Sequence, residues 1–302
     1  MTDQWNVVDA SSWTLAGEEP QGLRPHQWLS HESRERTWLF KHPDEEPDRP
    51  LGEDVTEKLA SELASVFGIP AARVELAARD GRRGCLVEDL RWSKGSHEPG
   101  QTLLAEVAEG YNPQDPEHRG HSVANIRQAL ERFTAPPASP TPEEFGAFDV
   151  FAGYLVFDAL IANGDRHDRN WAVLIRPPGI SGPDALCGSY DHASSLGFNL
   201  SDEERLRRLS EGRVESWARK GAARQFERRR GERRQSLVEL ACSAVAQCAA
   251  GVQQHWLDAV LSVESGVVGA LLDAAPGLSE TTRQFTKEVI MINRGRLLDA
   301  LQ

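Results

Sequence analysis

Residues 161–174 read Ile161-Ala162-Asn163-Gly164-Asp165-Arg166-His167-Asp168-Arg169-Asn170-Trp171-Ala172-Val173-Leu174 and place a polar loop between two apolar segments. The preceding segment, 142–162, is apolar on most sides and predicts a long buried helix. The pair Asn163-Gly164 is a helix-stop signal, and the apolar run at 171–175 predicts a strand. A polar loop held between a buried helix and a buried strand is a rigid place for functional side chains.

Two side chains of this loop have the spacing of a phosphoryl-transfer centre. Asp165 and Asn170 are five residues apart. The same spacing separates the aspartate that takes the substrate proton from the asparagine that holds magnesium in kinase catalytic loops. We therefore predict that Asp165 is a catalytic residue and that Asn170 is a metal ligand. Arg166 is expected to form a structural ion pair, and Asp168 is expected to be solvated.

A second aspartate follows a short predicted hairpin beyond this loop. The run 188–195 reads Gly-Ser-Tyr-Asp-His-Ala-Ser-Ser and places Asp191 after a strand-like approach. Magnesium prefers hard oxygen ligands, and one or two carboxylates usually hold it together with phosphates and waters. Asp191 and Asn170 meet that requirement, so both are predicted to be metal ligands.

A lysine and a glutamate precede these motifs in the chain. Lys41 ends a β-like run, and a helix is predicted over 52–67. In kinases a strand lysine neutralises the α- and β-phosphates, and a helix glutamate orients that lysine. Glu57 is the predicted partner of Lys41 because it lies near small residues of the helix. Glu53 and Glu62 are its rivals.

The N-terminal part of the chain is predicted to be small and rich in strands. Residues 1–36 are polar, with a loop at 19–25. The β-like runs at 72–77 and 84–90 predict an antiparallel pair, because a turn of the type Arg-Asp-Gly joins them.

The rest of the chain is predicted to be helical. Residues 202–302 carry helical spacing, and the proline-rich segment at 135–140 reads as a spacer. We therefore predict an α+β, two-lobed fold with a small strand-rich N-lobe at 1–92 and a large all-helical C-lobe at 93–302. The cleft between two lobes is where ligands usually bind.

The order of these residues resembles a protein-kinase-like fold. The catalytic-loop motif, 164–167 with Asn170, resembles that of HipA-like kinases and of phosphatidylinositol kinases. The motif at 190–195 resembles the HipA-like metal-binding segment, whereas lipid kinases usually carry Asp-Phe-Gly there. The predicted first helix and the ending Asn-Arg-Gly-Arg-Leu-Leu are also similar to HipA-like proteins. The chain is identified as a member of the HipA-like kinases, a stand-alone C-terminal-domain protein, over roughly residues 20–300.

The resemblance implies ATP and Mg²⁺ as cofactors. Gly22 is the candidate for the phosphate loop, in which backbone amides would hold the phosphates. The adenine would contact the hinge near Val87, Glu88 and Leu90. His167 would either hydrogen-bond the catalytic loop or, as in the lipid kinases, contact the γ-phosphate. On the second alternative, it counts among the catalytic residues.

Composition and charge limit the class of partner. The net charge is −12, and an acidic chain is repelled by phosphate backbones, so no direct nucleic-acid binding is expected. The run 213–234 carries nine Lys or Arg residues and reads as a solvated surface or as a patch that docks an acidic substrate or partner. No apolar run can span a membrane, the N-terminus lacks a secretory signal, and the four cysteines are scattered. We therefore expect a cytoplasmic protein with reduced thiols.

By family analogy, a protein serine or threonine is the expected acceptor of the phosphoryl group. A small molecule, such as a metabolite or an antibiotic, and a lipid headgroup are alternative acceptors. A nucleotide-binding pseudokinase scaffold and a transferase that leaves AMP on its target are alternatives from other classes. Toxin kinases of the family carry an additional N-terminal subdomain, which the short N-terminal part does not match. An antitoxin-type partner is therefore compatible with the family but not indicated.

Overall fold

The computed structural model of the chain describes residues 5–19, 26–43, 52–93, 95–228 and 231–302. In these residues, the strands of the N-terminal lobe are β1 (Val8–Asp9), β2 (Thr14–Glu19), β3 (His26–Ser30), β4 (Trp38–Lys41), β5 (Val74–Arg79) and β6 (Arg82–Glu88). They form one sheet in the order β1-β5-β6-β4-β3-β2, in which the β1–β5 pair is parallel and the other pairs are antiparallel. The predicted strand-rich N-lobe and the β5–β6 hairpin are thus confirmed.

Three of these strands lie in the segment 1–36, where only a polar, loop-containing stretch is predicted. β1 is two residues long, and β2 is an edge strand on which Leu15 is exposed. Neither strand has the alternation of buried and exposed residues that identifies a half-buried strand in a sequence. In β3, Leu29 is buried against the rest of the sheet. β1 and β2 are the two opposite edges of the sheet, and pairing with one neighbouring strand, rather than a local pattern, defines each of them.

β4 lies inside the sheet between β3 and β6, and its apolar side chains are buried on both faces. Trp38 and Phe40 pack into one cluster, whereas Leu39 packs into another that Tyr190 of the C-lobe also contacts. Because side chains alternate along a strand, Lys41 shares the face of Leu39. The strand therefore directs Lys41 toward the C-lobe.

The predicted first helix, α1 (Glu53–Phe67), is present and links the two lobes. It ends at Gly68, whose φ of +84° is left-handed and lets its N–H bond to the carbonyl of Ala64. At its C-terminal end, Phe67 stacks on Trp256 of the C-lobe with ring centroids 5.9 Å apart. The helix therefore packs both on the N-lobe sheet and on the C-lobe core.

The described helices of the C-lobe are α2 (Gly100–Val107), α3 (Val123–Leu130), α4 (Ala147–Leu160), α5 (Asp202–Ser210), α6 (Val214–Ala218), α7 (Leu237–Val245), α8 (Ala250–Ser262), α9 (Ser265–Ala274) and α10 (Glu280–Leu301). α4 is buried along almost its whole length, as its apolar sequence predicts. It begins at Ala147 rather than at 142, because residues 142–145 form a turn closed by Phe145 N–H on the carbonyl of Pro142.

The packing of α4 against α8 depends on one glycine. A Cβ atom at Gly153 would lie 2.3 Å from the ring of Trp256, so a larger residue cannot occupy this position without displacing that ring. Trp256 is fully buried, and its Nε1 donates to the carbonyl of Asp149 at 2.9 Å. A buried tryptophan of this kind stabilises a protein by about 3–5 kcal/mol relative to alanine.

The C-lobe also carries a small antiparallel sheet, which the prediction of an all-helical lobe does not include. Its strands are β7 (Ser96–Pro99), β8 (Ala172–Ile175) and β9 (Ala185–Leu186). β8 is the strand predicted after the catalytic loop. The proline-rich segment packs within this lobe, because Ala135 packs against the main core cluster and Pro136 is buried. It is therefore not a spacer between sub-domains, and the lobe boundary at 92 and 93 stays a prediction.

Two expectations from composition can be compared with the fold. All four cysteines are free, and Cys85, Cys187 and Cys248 are buried, in agreement with the predicted reduced thiols. Among the helices in the described part of the chain, none combines the length and the apolar character that crossing a membrane requires.

Candidate active site

The candidate catalytic loop, residues 163–170, follows the C-terminal end of α4. Ala162, rather than the predicted Gly164, is left-handed, with φ of +56°. The reason lies in Asn163, whose backbone N–H donates to the carbonyl of Asp158 and whose side-chain Nδ2 donates to Asp158 Oδ1, both at 2.8 Å. Asn163 Oδ1 then accepts from the N–H of Asp165 at 3.1 Å. A buried asparagine therefore sets the path of the chain into Asp165.

Arg166 braces the loop from inside. Its guanidinium donates to both carboxylate oxygens of Asp158 at 2.8 Å, and both side chains are 2% exposed. It also donates to the carbonyl of Asn170 at 2.7 Å and to Ser189 Oγ at 2.9 Å. The predicted structural ion pair is confirmed, and it ties the catalytic loop to the segment that leads to Asp191.

The backbone of Asp165 is fixed by two hydrogen bonds. Its carbonyl accepts from His167 N–H at 2.7 Å and from Asn170 Nδ2 at 2.9 Å. Since the side-chain Nδ2 of Asn170 is used in this way, the side-chain oxygen Oδ1 is the atom that can bind a cation. Asn170 is buried, whereas Asp165 is half-buried and can be reached by an acceptor.

Gln225 is a residue of this site that the sequence reading missed. Its Nε2 donates to Asp165 Oδ1 at 2.7 Å. It comes from the basic run, sixty positions further along the chain; a helix is predicted there, but residues 221–228 form turns and irregular backbone. The nearest signal in the sequence is the expectation that this run docks a substrate, which does not single out a glutamine.

A buried histidine holds Gln225 in place. His121 Nδ1 lies 2.6 Å from the carbonyl of Gln225, and Trp171 Nε1 donates to His121 Nε2 at 3.2 Å. Because an indole N–H only donates, His121 Nε2 must accept, so Nδ1 carries the proton. Burial lowers the pKa of His121 to about 4, and the neutral ring thus links Gln225 to the residue that follows Asn170.

Lys41, Glu57 and Asp191 meet between the lobes. Lys41 Nζ lies 2.8 Å from Asp191 Oδ1 and 3.9 Å from Glu57 Oε2. Burial disfavours the charged lysine, but the two carboxylates outweigh burial and raise its pKa. The ammonium of Lys41 in turn lowers the pKa of Asp191 to about 2, against the effect of burial. Both groups are therefore charged at neutral pH.

Glu57, and not its rival Glu62, faces Lys41, because Glu62 pairs with Lys58. Glu57 is 1% exposed, and its Oε1 accepts from His192 N–H at 3.0 Å, whereas its Oε2 has no hydrogen-bond donor in the described chain. Burial raises the pKa of Glu57, while Lys41 acts in the opposite direction.

The backbone at Asp191 is left-handed, with φ of +61°. This conformation is uncommon for a residue with a side chain, and such residues cluster at functional sites. The carboxylate is 36% exposed, so one side of it faces Lys41 while another remains accessible.

His167 lies between the two candidate aspartates. Its Nδ1 accepts from Arg169 N–H at 3.1 Å, so its Nε2 carries the proton in the neutral ring. Burial lowers its pKa, and the charges of Asp165 and Asp191 oppose that effect. The histidine thus hydrogen-bonds the loop, as one alternative predicts, and is within electrostatic reach of both carboxylates.

The predicted nucleotide contacts are only partly within the described residues. Gly22 lies outside them. Val87 and Glu88 end β6, and Glu88 N–H donates to the carbonyl of Arg73 at 2.9 Å. Leu90 packs with Tyr190 and next to Gly188, which places the candidate hinge beside the segment of Asp191.

The donor set fits a magnesium ion that shares its coordination with phosphates. Asp191 offers an ionised carboxylate and Asn170 a carbonyl oxygen, which are the hard ligands this ion prefers. Among the described residues, no cluster of three or more His, Cys, Asp or Glu side chains could hold a metal ion by itself. A site with one carboxylate is consistent with an ion that arrives together with a nucleotide.

Two surface cavities lie elsewhere in the C-lobe. Each has a volume of about 400 Å³; one opens at α2 and α3, and the other at α3, α4 and the connection between α7 and α8. Neither is lined by a residue of the Lys41–Asp191 or Asp165–Gln225 contacts.

Comparison with known proteins places the chain in a family. The family model described as "HipA-like C-terminal domain" matches residues 13–256. A comparison with curated proteins finds no match.

Solved structures show the same fold. The structure described as "Crystal structure of A Helicobacter pylori proinflammatory kinase CtkA" aligns with a TM-score of 0.69 and 15% identity, over 98% of this chain and 97% of that chain. The Shewanella oneidensis MR-1 toxin–antitoxin complex of HipA, HipB and operator DNA aligns with a TM-score of 0.44 and 14% identity, over 96% of this chain and 66% of that chain. The first likeness shows a kinase fold, and the second is too weak to carry an argument.

Proposed function

Because the chain belongs to the family of the HipA-like C-terminal domain, we propose that it is an ATP- and magnesium-dependent kinase that phosphorylates a hydroxyl group. The predicted family is thus confirmed, and the activity is our proposal. The observation that carries it is the contact of Lys41 with both Asp191 and Glu57, which joins the N-lobe to the C-lobe at the candidate metal ligand. Kinases bring a strand lysine, a helix glutamate and a metal-binding aspartate together in this way.

The reaction assigns a role to each side chain of the loop. The acceptor hydroxyl oxygen bonds to the γ-phosphorus, the bond to the β–γ bridging oxygen breaks, and ADP leaves. Asp165 receives the hydroxyl proton and, through the hydrogen bond from Gln225, is held in one orientation. Little covalent chemistry falls to the protein, so positioning and charge neutralisation provide most of the rate enhancement.

Lys41 and the metal ion neutralise the charge of the nucleotide phosphates in the proposed reaction. Lys41 is charged and held between two carboxylates, so it is oriented before a nucleotide arrives. Asn170 and Asp191 would hold the magnesium ion, which neutralises charge on the phosphates. His167, with its proton on Nε2, is a candidate donor to a phosphate oxygen.

A serine or threonine of a protein is the proposed acceptor. The half-buried Asp165 accepts from Gln225 of a surface segment whose described residues, 224–228 and 231–235, are exposed or half-buried apart from Phe226. Enclosed cavities are typical of sites for small molecules, so this surface favours a polypeptide acceptor.

Phosphoryl transfer from labelled ATP to Ser/Thr peptides, with magnesium, tests the proposal. We expect transfer by the unmodified protein and a loss of about 10²–10⁴-fold in Asp165→Asn. Asp168→Asn is the matched control in the same loop and should retain transfer. Mass spectrometry must show a gain of one phosphate. A gain of AMP, or transfer by Asp165→Asn at the unmodified rate, would contradict the proposed reaction, and ATP binding without any transfer would favour the pseudokinase alternative.

A further inference from the structure

The two ends of the segment 222–236, which we call the basic loop, meet beside the candidate catalytic centre, and the structure describes its residues 222–228 and 231–236. Its ends are joined by an antiparallel bridge between Ala222 and Ser236 and by a hydrogen bond from Ala223 N–H to the carbonyl of Gln235 at 2.9 Å. The sequence of the loop contains six arginines and two glutamates. The loop is therefore locally positive on a protein whose net charge is −12.

Contacts on its inner side fix the basic loop next to the catalytic aspartate. Phe226 stacks on the buried His121 with ring centroids 4.4 Å apart. Arg228 donates to both carboxylate oxygens of Glu117 at 2.7 Å. Together with the hydrogen bond from Gln225 to Asp165, these contacts hold the loop in one position relative to the reacting centre.

Two of the four described arginines of the loop lack the carboxylate partners that the other two have. Arg228 pairs with Glu117, and Arg233 pairs with Glu239. Within the residues that the structure describes, Arg224 and Arg234 contact no carboxylate. Arg224 is exposed, and Arg234 Nη1 donates to the carbonyl of Arg224 at 2.7 Å, so the two residues adjoin.

Two observations place these residues near the candidate catalytic loop, 163–170. Arg224 precedes Gln225, the residue bonded to Asp165. The charge of Arg234 acts on His118, where it adds to the effect of burial in lowering the pKa, and Asp168 of the catalytic loop acts on the same histidine in the opposite direction. Arg234 and Asp168 therefore both lie within electrostatic range of His118.

We propose that Arg224 and Arg234 dock an acidic segment of a protein acceptor whose hydroxyl is presented to Asp165; this rests on the proposed function. Arginine binds carboxylates in a bidentate manner, and two adjacent guanidinium groups suit two acidic side chains. The rest of the protein surface is acidic and repels an acidic segment. The charge distribution therefore favours an acidic partner and directs it to Arg224 and Arg234. An exposed surface suits a polypeptide better than a small molecule.

Fluorescence anisotropy with short labelled peptides tests the proposal without requiring turnover. One peptide carries a serine flanked on both sides by glutamates, and the other carries lysines in their place. We expect the acidic peptide to bind the protein at low salt and to bind Arg224→Ala/Arg234→Ala about tenfold more weakly. The double variant Arg219→Ala/Arg233→Ala removes the same charge from the same run, at arginines that have carboxylate partners, and should weaken binding far less. Thermal unfolding of both double variants verifies that they fold.

Equal weakening in the two double variants, or no binding of the acidic peptide, would overturn the proposal. Tighter binding of a short single-stranded DNA than of the acidic peptide would also overturn it, because the surface would then be a site for nucleic acid. The proposed function fails separately: it is contradicted if no peptide is phosphorylated. Phosphorylation of acidic and neutral serine peptides at equal rates contradicts the docking proposal alone.

Discussion

Lys41 Nζ lies 2.8 Å from Asp191 Oδ1, so a strand of the N-lobe and the candidate metal ligand of the C-lobe share one ion pair. Glu57 is further from the same ammonium, at 3.9 Å, and anchors the arrangement by accepting from His192 N–H. Lys41 is thus oriented by Asp191, the candidate metal ligand. Contacts between the lobes therefore organise the candidate nucleotide site.

Replacement of Lys41 by methionine should weaken ATP binding. The variant removes the cation that faces the phosphates and leaves Asp191 and the buried Glu57 without their counter-charge. We expect a loss of at least about tenfold in affinity, which corresponds to about 1.4 kcal/mol, in a titration calorimetry experiment with magnesium. Lys58→Met is the control, because Lys58 is buried and paired with Glu62 on the same helix. Equal ATP affinities of Lys41→Met and the unmodified protein would refute the role of Lys41.

Replacement of Gln225 by alanine should lower kcat and leave the KM for ATP unchanged. The variant removes the hydrogen bond that orients Asp165, which faces the acceptor rather than the nucleotide phosphates in our proposal. A loss of about tenfold corresponds to one hydrogen bond to a charged group. Gln225→Glu should lower kcat further than Gln225→Ala does, because it places a second carboxylate beside Asp165. Gln235→Ala, on the same loop, is the control, and an unchanged kcat in Gln225→Ala would show that the contact does not position Asp165.

Replacement of Arg166 by methionine should destabilise the fold strongly. Arg166 and Asp158 form a fully buried pair, and removal of one partner leaves an uncompensated charge. The expected cost is about 3–5 kcal/mol in the free energy of unfolding, measured by urea denaturation. The exposed Arg169, three residues further along, provides the comparison: Arg169→Met should change stability by less than about 0.5 kcal/mol. Similar effects of the two substitutions would mean that the buried pair does not brace the loop.

His121 should make the stability of the protein depend on pH. Its pKa is about 4 in the folded protein and near 6.5 in the unfolded chain, so the unfolded state binds the extra proton between these values. The free energy of unfolding should therefore fall as the pH decreases from about 6.5 to about 4. In His121→Gln, which does not titrate, the decrease over this range should be smaller. If the free energy of unfolding depends on pH in the same way in the unmodified protein and in His121→Gln, His121 is not held neutral by burial and by the Trp171 donor.

The site residues that were predicted from the sequence are those that belong to short local sequence patterns. The five-residue spacing of Asp165 and Asn170, and the helix that carries Glu57, are each visible in a short window, and the structure brings Glu57 to Lys41 and Asp191. Their catalytic and metal-binding roles stay predictions.

The parts that were missed arise from contacts over long sequence separations. Gln225 reaches Asp165 across the basic loop, and His121 reaches Gln225 from a polar segment ahead of α3. β1 pairs with β5 at one edge of the sheet and β2 pairs with β3 at the other, and the largely exposed side chains of these edge strands remove the period on which a strand prediction depends. Asp168 was predicted to be solvated, but its carboxylate accepts from the Tyr111 hydroxyl. In each case the partner, rather than the local sequence, defines the position.

The most direct test of the kinase account is magnesium-dependent transfer of the γ-phosphoryl group from labelled ATP, measured in parallel for the unmodified protein, Asp191→Ala and Asp184→Ala. Asp184 lies in the β8–β9 hairpin that precedes Asp191, and its carboxylate accepts from Arg176 N–H at 2.8 Å. We predict that the unmodified protein and Asp184→Ala transfer phosphate to protein acceptors or to themselves, and that Asp191→Ala binds ATP without magnesium dependence and transfers none. Transfer by Asp191→Ala at the unmodified rate, or ATP binding by the unmodified protein that is indifferent to magnesium, would contradict the account.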